Sequence, residues 1–247
     1  MNEERPLALI LAVTSDIGRA IARRYAEAGF ELIVTARARD HLDAEIRDLE
    51  IRYDVPVRGE LLDIENLTQH DRLLQGLSRT PDVTVCAIGL MAAQQDAERD
   101  PALAARVMFV NYTGPALLLE RIAQACATRG SGSIVGISSV AGERGRASNY
   151  IYGSAKAGFT AWLSGLRNRL HGSGVHVMTA KPGFVKTRMT DGLDTAQWLT
   201  SSPKCLAESV FKSYRKRRSV IYAGPIWRLI MAVIRLLPES LFKRTRL

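Results

Sequence analysis

The order of apolar and amphipathic segments constrains the fold of this 247-residue chain more than any other feature. Six short apolar runs of strand length, from LALILAV near the N-terminus to VHVMTA near residue 180, alternate with stretches of helical periodicity. Parallel strands need long crossover connections, so this alternation predicts a parallel sheet covered by helices on both faces. The predicted class is α/β and doubly wound, and ligands of such sheets bind at the carboxyl ends of the strands.

The domain organisation predicted from the sequence is simple. No internal repeat or linker interrupts the alternation, and a chain of this length is ordinary for one domain. We predict a Rossmann-like domain over residues 1–224 and a basic amphipathic extension over residues 225–247. The three cysteines, Cys86, Cys126 and Cys205, have no zinc-ligand spacing, so no metal site is expected. They fit a location in the reducing cytosol.

The turn after the first strand, in LAVTSDIGRA, is the expected site for the diphosphate of a dinucleotide. A helix N-terminus offers phosphate free amides and the positive end of the helix dipole. In the fingerprint T-G-x-x-x-G-x-G only the last glycine is present, because Ala12 and Asp16 replace the first two. The alternative is a plain strand-to-helix turn in which Asp16 caps the helix. The expected cofactor contacts here are Thr14, Ser15, Asp16, Ile17 and Gly18.

The ends of the second and third strands concern the adenosine half of the cofactor. An acid after the second strand favours the ribose hydroxyl of NAD, whereas a basic residue favours the phosphate of NADP. This strand ends at Arg37 without an acid, which favours NADP(H) over NAD(H). Asp63 is a candidate partner for the adenine amino group. The alternative for Arg37 is a solvated loop arginine, and the alternative for Asp63 is a helix cap.

Tyr152 and Lys156 are four residues apart, which places them on one face of a helix. A nearby ammonium eases formation of a phenolate, and carbonyl reduction needs an acid that protonates oxygen. Lys156 is the first lysine in a chain with 27 arginines and 7 lysines. Thirteen residues before Tyr152, the strand SIVGISS brings Ser139 to the carboxyl edge of the sheet. Taken one at a time, each residue has a non-catalytic alternative. Tyr152 would be a core tyrosine, Lys156 a surface lysine and Ser139 a turn serine.

The segments SIVGISSVAG, YGSAK and KPGFVKT resemble the short-chain dehydrogenase/reductase superfamily, over the chain up to about Thr190. The resemblance implies a ketone reductase or alcohol dehydrogenase, assembled as a homodimer or homotetramer. Tyr152 would be the acid/base, Lys156 would lower its pKa and hold the nicotinamide ribose, and Ser139 would polarise the carbonyl. Asn111, in FVNYTGP, would hold a water of the proton relay. The segment against the nicotinamide would comprise Pro182, Gly183, Val185 and Thr187.

One further segment departs from the pattern of this superfamily. In VTVCAIG, Cys86 and Ala87 replace the usual asparagines, and only Gly89 remains as an expected cofactor contact. Together with the reduced glycine turn, this departure puts the cofactor affinity in doubt. It keeps open the alternative of a non-catalytic dinucleotide sensor.

The tail of the chain carries the whole net charge of +9, with 11 Lys and Arg against 2 Glu from Lys204 onward. Within it, IWRLIMAVIRLL is 12 residues long, too short to span a bilayer. Arg228 and Arg235 lie on one helical stripe. The tail suits an anionic membrane surface, and equally packing on the domain core or on a second subunit. Nucleic acid is not expected, since no recognition motif accompanies the charge. The other stripe is apolar and contains Trp227, Ile230, Met231 and Ile234.

A closer resemblance concerns the substrate. The segments SSVAGERGRASNYIYGSAKAG, VKTRMT and WRLIMAVIRLLPESLFKR are similar to decaprenylphosphoryl 2-keto-pentose reductases, which act on polyprenyl-phosphoryl sugars. This resemblance implies a lipid-linked keto sugar, reduced by a peripheral enzyme at the cytoplasmic face of the membrane, after a flavin oxidase. The alternative is a soluble reductase of a small ketone, steroid-like or acyl.

Overall fold

The computed structural model describes residues 5–192 and 197–245. Within these residues, seven strands form one sheet in which every neighbouring pair is parallel. The strands are β1 (Leu7–Leu11), β2 (Glu31–Ala36), β3 (Val57–Leu61), β4 (Val83–Cys86), β5 (Gly132–Ile137), β6 (Val175–Pro182) and β9 (Val220–Ala223). Two short strands, β7 (Phe184–Val185) and β8 (Thr200–Ser201), pair separately. The strand order β3-β2-β1-β4-β5-β6-β9 reverses direction between β1 and β4.

The helices connect these strands in the alternation that the sequence predicts. Short 3-10 turns cover Val140–Glu143, Arg188–Thr190 and Gln197–Leu199, and a π-helical turn covers Phe109–Thr113. The α-helices of the described residues are α1 (Asp16–Glu27), α2 (Arg39–Tyr53), α3 (Leu67–Gly76), α4 (Gln94–Arg99), α5 (Pro101–Met108), α6 (Gly114–Arg129), α7 (Tyr150–Arg169), α8 (Pro203–Arg215), α9 (Ile226–Leu236) and α10 (Glu239–Phe242).

Two hydrophobic layers, one on each face of the sheet, hold the domain together. Alternate residues of β1 point to opposite faces, so Ile10 packs with α1, α2 and α8, while Leu9 packs with α3, α6 and α7. All five residues of β1 are buried, as expected for a parallel strand covered on both sides. The doubly wound, Rossmann-like α/β class predicted from the sequence is therefore confirmed.

The structure has one strand more in its main sheet than the six predicted. β9 lies within the basic tail, in SVIYAG, and pairs with β6 from Thr179↔Val220 to Pro182↔Ala223. It is only four residues long and has an exposed first residue, so it lacks the apolar run that marks the other strands. An edge strand needs one partner only, and this one obtains its stability from β6.

The helical stretch Pro101–Arg129 is not a uniform α-helix. It divides into α5 and α6, with the π-helical turn Phe109–Thr113 between them. A π turn places one extra residue in the helix, and such turns are frequent at functional sites. Here the extra residue rotates Asn111 into the interior, where its side chain is fully buried.

One helical stretch among the described residues, Pro101–Arg129, has the length and apolar composition of a membrane-spanning segment. Its position in the fold accounts for that composition. Leu118, Leu119 and Ile122 are buried against the sheet in the same layer as α7. We therefore interpret this stretch as a core helix of the domain.

Candidate active site

A groove of about 680 Å³ opens at the carboxyl ends of the strands, where the strand order reverses. In open α/β sheets this reversal leaves a crevice in which ligands bind. The groove wall includes the residues that follow β1, β2, β3 and β4, together with the segment after β7. Of the predicted cofactor contacts, the groove is lined by Thr14, Ser15, Asp16, Ile17, Arg37, Asp63, Gly89 and Thr187.

The turn after β1 is capped by Ser15, not by Asp16. The Ser15 hydroxyl accepts a 3.0 Å hydrogen bond from the Gly18 amide and donates a 2.8 Å bond to the Ala12 carbonyl. Gly18 is required by packing, because a Cβ there would stand 2.1 Å from the Ala12 oxygen. The alternative cap was wrong because Asp16 is the first residue of α1 and its carboxylate points elsewhere.

Ala12 stands where the superfamily fingerprint has its first glycine, and it adopts that glycine's backbone conformation. Its φ is +70°, in the left-handed region that favours glycine. Two bonds to the Ala12 carbonyl, from the amide and the hydroxyl of Ser15, hold the strained turn. The turn thus keeps its shape although the glycine has been replaced.

Asp16 stands at the second glycine position and is engaged by Arg188, which sequence reasoning missed. The Arg188 amide donates a 2.8 Å bond to the Asp16 carboxylate, and its guanidinium donates a 2.6 Å bond to the Thr14 carbonyl. All three residues line the groove. The only sequence indication of this role is that Arg188 directly follows Thr187.

The adenosine end of the groove is rich in basic side chains. Arg37 is exposed at the end of β2, and Arg19 and His41 line the same wall. Arg19 is bound to Glu45 by a salt bridge, which raises the pKa of its guanidinium. Within the described residues Arg37 makes no hydrogen bond or salt bridge, and it is free to meet an anion.

Asp63 lines the groove two residues beyond β3, which ends at Leu61. Its carboxylate accepts a 3.1 Å bond from the Glu65 amide. The cap of α3 is Asn66, whose side chain accepts from the Thr68 and Gln69 amides. The alternative interpretation of Asp63 as a helix cap is therefore wrong.

Ser139 and Tyr152 come together beyond the carboxyl end of β5. Ser139 lies two residues after the strand, where its hydroxyl accepts a 3.1 Å bond from the Ala141 amide and lies near the Tyr152 side chain. Burial raises the pKa of Tyr152 to about 12, and the nearby Ser139 hydroxyl opposes this shift. The phenol of Tyr152 is thus held in its protonated form.

Lys156 lies one helical turn beyond Tyr152, with its Nζ 5.9 Å from the tyrosine ring centroid. The side chain is buried, and Nζ donates to the carbonyls of Ile137 at 3.2 Å and Ile88 at 3.4 Å. Burial lowers the pKa of Lys156 to about 8. No carboxylate of the described residues pairs with this ammonium, so it remains available to a bound ligand. Cys86 is also buried, with its pKa raised to about 11.

Asn111 reaches the same place from the π-helical turn. Its amide nitrogen donates to the carbonyls of Leu90 and Val107 at 2.6 and 2.9 Å, and its oxygen accepts from the Leu90 amide at 3.2 Å. A Cβ on Gly89 would lie 3.3 Å from the Asn111 oxygen and 3.7 Å from Lys156 Nζ. Gly89 therefore leaves open a small space between Asn111 and Lys156.

The predicted nicotinamide segment is divided between two surroundings. Pro182 ends β6, and Val185 is buried in β7. Thr187 lines the groove, with its amide bonded to the Thr190 hydroxyl. Gly183 is covered by Trp227 of α9, because a Cβ there would stand 1.9 Å from the indole ring. The C-terminal helix thus packs against the segment next to Ser139 and Tyr152.

These features fit a nicotinamide dinucleotide. The capped α1 terminus would receive the diphosphate, the basic wall the adenosine ribose, and Lys156 the second ribose. Lys156 is a buried ammonium without an acid partner in the described residues, and Gly89 leaves free space beside it. Both are expected where a neutral or anionic ligand completes the site.

Comparison with known proteins places the chain in a family. The family model for short chain dehydrogenases matches residues 6–198. The chain belongs to this family. It is 36% identical over 239 residues to an uncharacterized oxidoreductase of Mycobacterium tuberculosis, covering 96% of this chain and 95% of that one. It is 28% identical over 187 residues to the 3-oxoacyl-[acyl-carrier-protein] reductase of Aquifex aeolicus, covering 74% and 75%.

Solved structures share the fold of this short-chain dehydrogenase. A short-chain dehydrogenase from Sphingobium yanoikuyae in complex with NADPH superposes with a TM-score of 0.82 at 23% identity, over 98% of this chain and 96% of that one. A Burkholderia cenocepacia short chain dehydrogenase with NADP gives 0.84 at 20%, over 99% and 98%. The protein is an NAD(P)-dependent oxidoreductase of the short-chain type.

Proposed function

We propose that this enzyme uses NADPH to reduce a ketone to a secondary alcohol, with a lipid-linked keto sugar as its substrate. The observation that carries the reaction is the grouping of Ser139, Tyr152 and buried Lys156, whose Nζ lies 5.9 Å from the Tyr152 ring centroid. When bound, the reduced nicotinamide supplies a hydride to the carbonyl carbon. The Ser139 hydroxyl donates to the carbonyl oxygen, and Tyr152 gives that oxygen its proton.

Lys156 makes the tyrosine a usable acid at neutral pH. With Lys156 Nζ 5.9 Å from its ring centroid, Tyr152 still has its pKa raised by burial to about 12, so a bound ligand has to bring the two groups into closer interaction. An ammonium close to the developing phenolate stabilises it and eases loss of the proton. Asn111 and the open space at Gly89 would hold a water that links Lys156 to solvent and returns the proton.

The preference for NADP(H) over NAD(H) is proposed from the basic wall at the end of β2. Arg37 is exposed there and lines the groove. This position carries an arginine where NAD sites usually carry an acid. A guanidinium fits a phosphate monoester by paired hydrogen bonds. The adenosine 2′-phosphate of NADP supplies this group, whereas NAD offers a hydroxyl only.

The membrane setting is proposed from the surface of α9. One face of this helix packs on the domain through Trp227, Met231 and Ile234. Packing on the domain core was one of the alternatives that the sequence left open for the tail. A second apolar stripe, Ile226, Leu229, Val233 and Leu236, faces outward, and Leu236 is 83% exposed. Arg228 and Arg235 are exposed on the same helix. An apolar stripe flanked by arginines suits the headgroup region of an anionic membrane.

This surface favours a substrate that is itself held in the membrane, at its cytoplasmic face. Trp227 of α9 packs on Gly183, in the segment expected to lie against the nicotinamide, which supports a role for α9 beside the reaction site. A ketone on a polyprenyl phosphate would then reach Tyr152 without leaving the bilayer surface. On this proposal a flavin oxidase supplies the keto sugar, and the enzyme acts as a homodimer or homotetramer.

The test of the reaction is NADPH oxidation against a panel of soluble and lipid-linked ketones. Replacing Tyr152→Phe should lower kcat/KM by about 10²- to 10⁴-fold, because the proton donor is lost. Tyr150→Phe is the matched control, since Tyr150 is exposed two residues earlier on the same helix. Equal activity of the wild type and Tyr152→Phe would contradict the proposal and favour a non-catalytic sensor.

The test of the membrane setting is flotation with vesicles of phosphatidylglycerol and phosphatidylcholine. Leu229→Asp and Leu236→Asp should abolish binding, because each places a like charge against the anionic surface. Ile51→Asp is the matched control, as Ile51 is 83% exposed on α2. If all three variants float with the vesicles as the wild type does, a soluble reductase of a small ketone is the better description.

A further inference from the structure

Ser139 begins a short turn that lies between two helices. It is the N-cap of the 3-10 turn Val140–Glu143, which we call the serine turn. The Ser139 hydroxyl accepts a 3.1 Å bond from the Ala141 amide, and its carbonyl accepts a 3.2 Å bond from the Gly142 amide. Because both bonds come from the serine turn, a displacement of that turn also moves the Ser139 hydroxyl.

On one side, the serine turn packs against the backbone of α7. A Cβ on Gly142 would stand 2.7 Å from the backbone carbonyl carbon of Lys156. A Cβ on Gly153 would stand 2.9 Å from the carbonyl oxygen of Ala141. These close approaches at two glycines bring the serine turn into contact with the part of α7 that carries Tyr152 and Lys156.

On its other side, the serine turn is joined to α9 and α10 by Arg144, the residue that follows it. The Arg144 guanidinium donates to the carbonyls of Ile234 at 2.5 Å and Leu237 at 2.6 Å. It donates to the Glu239 carboxylate at 2.9 Å and lies 3.8 Å from the centroid of the Phe242 ring. The Arg144 side chain is only 14% exposed. One nearly buried side chain thus contacts the end of α9 and both ends of α10.

Arg144 supplies a hydrogen bond that the backbone of α9 cannot make. An α-helix pairs each carbonyl with the amide four residues later, and the residue four after Ile234 is Pro238, which has no amide hydrogen. The last carbonyls of a helix also carry partial negative charge and favour a cation. Replacing Arg144 would therefore remove the donor at the end of α9 and separate the serine turn from it.

The serine turn also shares a small apolar core with these two helices. Val140 is buried in a cluster whose other buried members all come from α9 and α10, namely Trp227, Met231, Ile234 and Phe242. This cluster is distinct from the two layers that cover the sheet. The position of α9 is thus coupled to the serine turn by packing as well as by Arg144.

The far end of the serine turn is fixed independently of α9. The Glu143 carboxylate accepts hydrogen bonds from Lys181 of β6 at 2.7 Å and from the hydroxyl of Tyr222 of β9 at 2.5 Å. These bonds remain when Arg144 is replaced. We therefore expect loss of Arg144 to displace the serine turn, with the sheet and α7 kept intact.

We propose that Arg144 is a positioning residue for the reduction, which aligns the Ser139 hydroxyl with Tyr152 by holding the serine turn between α7 and α9. The described residues that line the cofactor groove do not include Arg144, so the role is separate from cofactor binding. A misplacement of reacting groups by about 1 Å costs on the order of 100-fold in rate. The inference rests on the proposed reaction at Ser139 and Tyr152, and it requires no particular ketone.

The test compares kcat for reduction of ethyl acetoacetate, a soluble ketone, with the Kd for NADPH. Expressing kcat per bound NADPH leaves unfolded protein out of the comparison. Arg144→Met should lower kcat by about 10- to 100-fold, because the Ser139 hydroxyl is no longer aligned. The Kd for NADPH should stay within about twofold of the wild type, since the groove keeps its contacts. Arg144→Lys, which keeps the charge and a donor, should recover part of the loss.

Arg24→Met is the matched control, because Arg24 makes the same kinds of contact between α1 and α8. Its guanidinium donates to the Glu208 carboxylate at 2.5 Å and lies 3.8 Å from the centroid of the Phe211 ring. Both variants therefore lose an ion pair and a cation–π contact, and both should be less stable than the wild type. Arg24→Met should nevertheless keep the wild-type kcat per bound NADPH.

Hydrogen exchange gives a second measurement that does not need turnover. The amides of Ala141 and Gly142 are bonded to Ser139, so their exchange reports how firmly the serine turn is held. Arg144→Met should speed exchange about tenfold in a peptide covering residues 139–146. The same peptide should exchange in Arg24→Met as it does in the wild type.

The outcomes separate this inference from the proposed function. If Arg144→Met keeps the wild-type kcat, or loses no more than Arg24→Met does, the inference is overturned while the proposed function stands. If the wild type reduces neither ethyl acetoacetate nor any ketone of the wider panel, the proposed function fails. Hydrogen exchange then decides alone, since equal exchange of the serine turn in the two variants overturns the coupling and faster exchange in Arg144→Met supports it.

Discussion

Arg188 and Asp16 are 172 residues apart in the sequence and meet across the mouth of the cofactor groove. The Arg188 amide and guanidinium both reach the Asp16 carboxylate, at 2.8 and 3.5 Å. The contact offsets a negative charge at the helix terminus where a diphosphate would bind. Because Asp16 replaces a glycine of the usual fingerprint, Arg188 compensates for that replacement.

The first prediction concerns this pair. Arg188→Met should raise the Kd for NADPH about tenfold, because Asp16 then faces the diphosphate with only Arg19, 3.9 Å away, as a neighbouring cation. Adding Asp16→Asn should restore most of the affinity, as measured by NADPH fluorescence titration. Arg169→Met breaks an equivalent pair with Glu120 away from the groove and should leave the Kd unchanged. Equal losses in the single and double variants would refute the compensation.

The second prediction separates the two dinucleotides. Arg37→Leu should weaken NADPH by about 10- to 100-fold, since a charged hydrogen bond to the 2′-phosphate is lost. The affinity for NADH should stay unchanged, and the same titration measures both. Arg39→Leu, which removes an exposed arginine paired with Asp43, serves as the control. A parallel loss of both cofactors would show that Arg37 does not read the phosphate.

The third prediction uses the strained turn at Ala12. Ala12→Gly should not lower the free energy of unfolding and should raise it by up to about 1 kcal/mol, because glycine adopts a φ of +70° without steric cost. Ala105→Gly, in exposed helical surroundings on α5, should cost about 0.5 to 1 kcal/mol. Urea unfolding of both variants checks this. A loss at Ala12 as large as that at Ala105 would rule out strain there.

The fourth prediction concerns the pH dependence of stability. The folded state lowers the pKa of Lys156 from 10.5 to about 8, so between these values the unfolded chain binds more protons. Stability from this group therefore rises with pH across that window, by at most about 3 kcal/mol. Below pH 8 Lys156 is charged in the folded state, and the cost of burying its ammonium lowers the free energy of unfolding in full.

Urea unfolding at pH 7.5 and 9.5 measures this effect. The wild type should gain stability relative to Lys156→Met between the two pH values. Lys212→Met, at an exposed lysine of α8, should follow the wild type. A constant difference between the wild type and Lys156→Met would contradict the assigned burial cost.

The fold was predictable because its pattern is local. Strand and helix periodicities repeat along the chain, and β1 is buried at every residue as its composition indicates. β9 escaped prediction because four residues in a basic tail carry no such pattern, and its stability comes from β6. The π turn at Asn111 escaped for a similar reason, since one extra residue hardly changes helical periodicity.

The cofactor end was harder to predict, because its important contacts join distant segments. Asp16 was the predicted alternative cap of α1, whereas in the structure Ser15 caps the helix and Asp16 meets Arg188. Arg188 itself had no motif, and its role depends on the turn after β7 lying opposite the turn after β1.

By itself, the sequence determined the doubly wound class, the short-chain dehydrogenase family and the spacing of Ser139, Tyr152 and Lys156. These are properties of residues close together in the chain, where local geometry governs contact. The tertiary structure decided which face of α9 is buried and which polar groups remain unpartnered. Burial and pairing depend on segments brought together only by folding, and their free energies are set by that proximity.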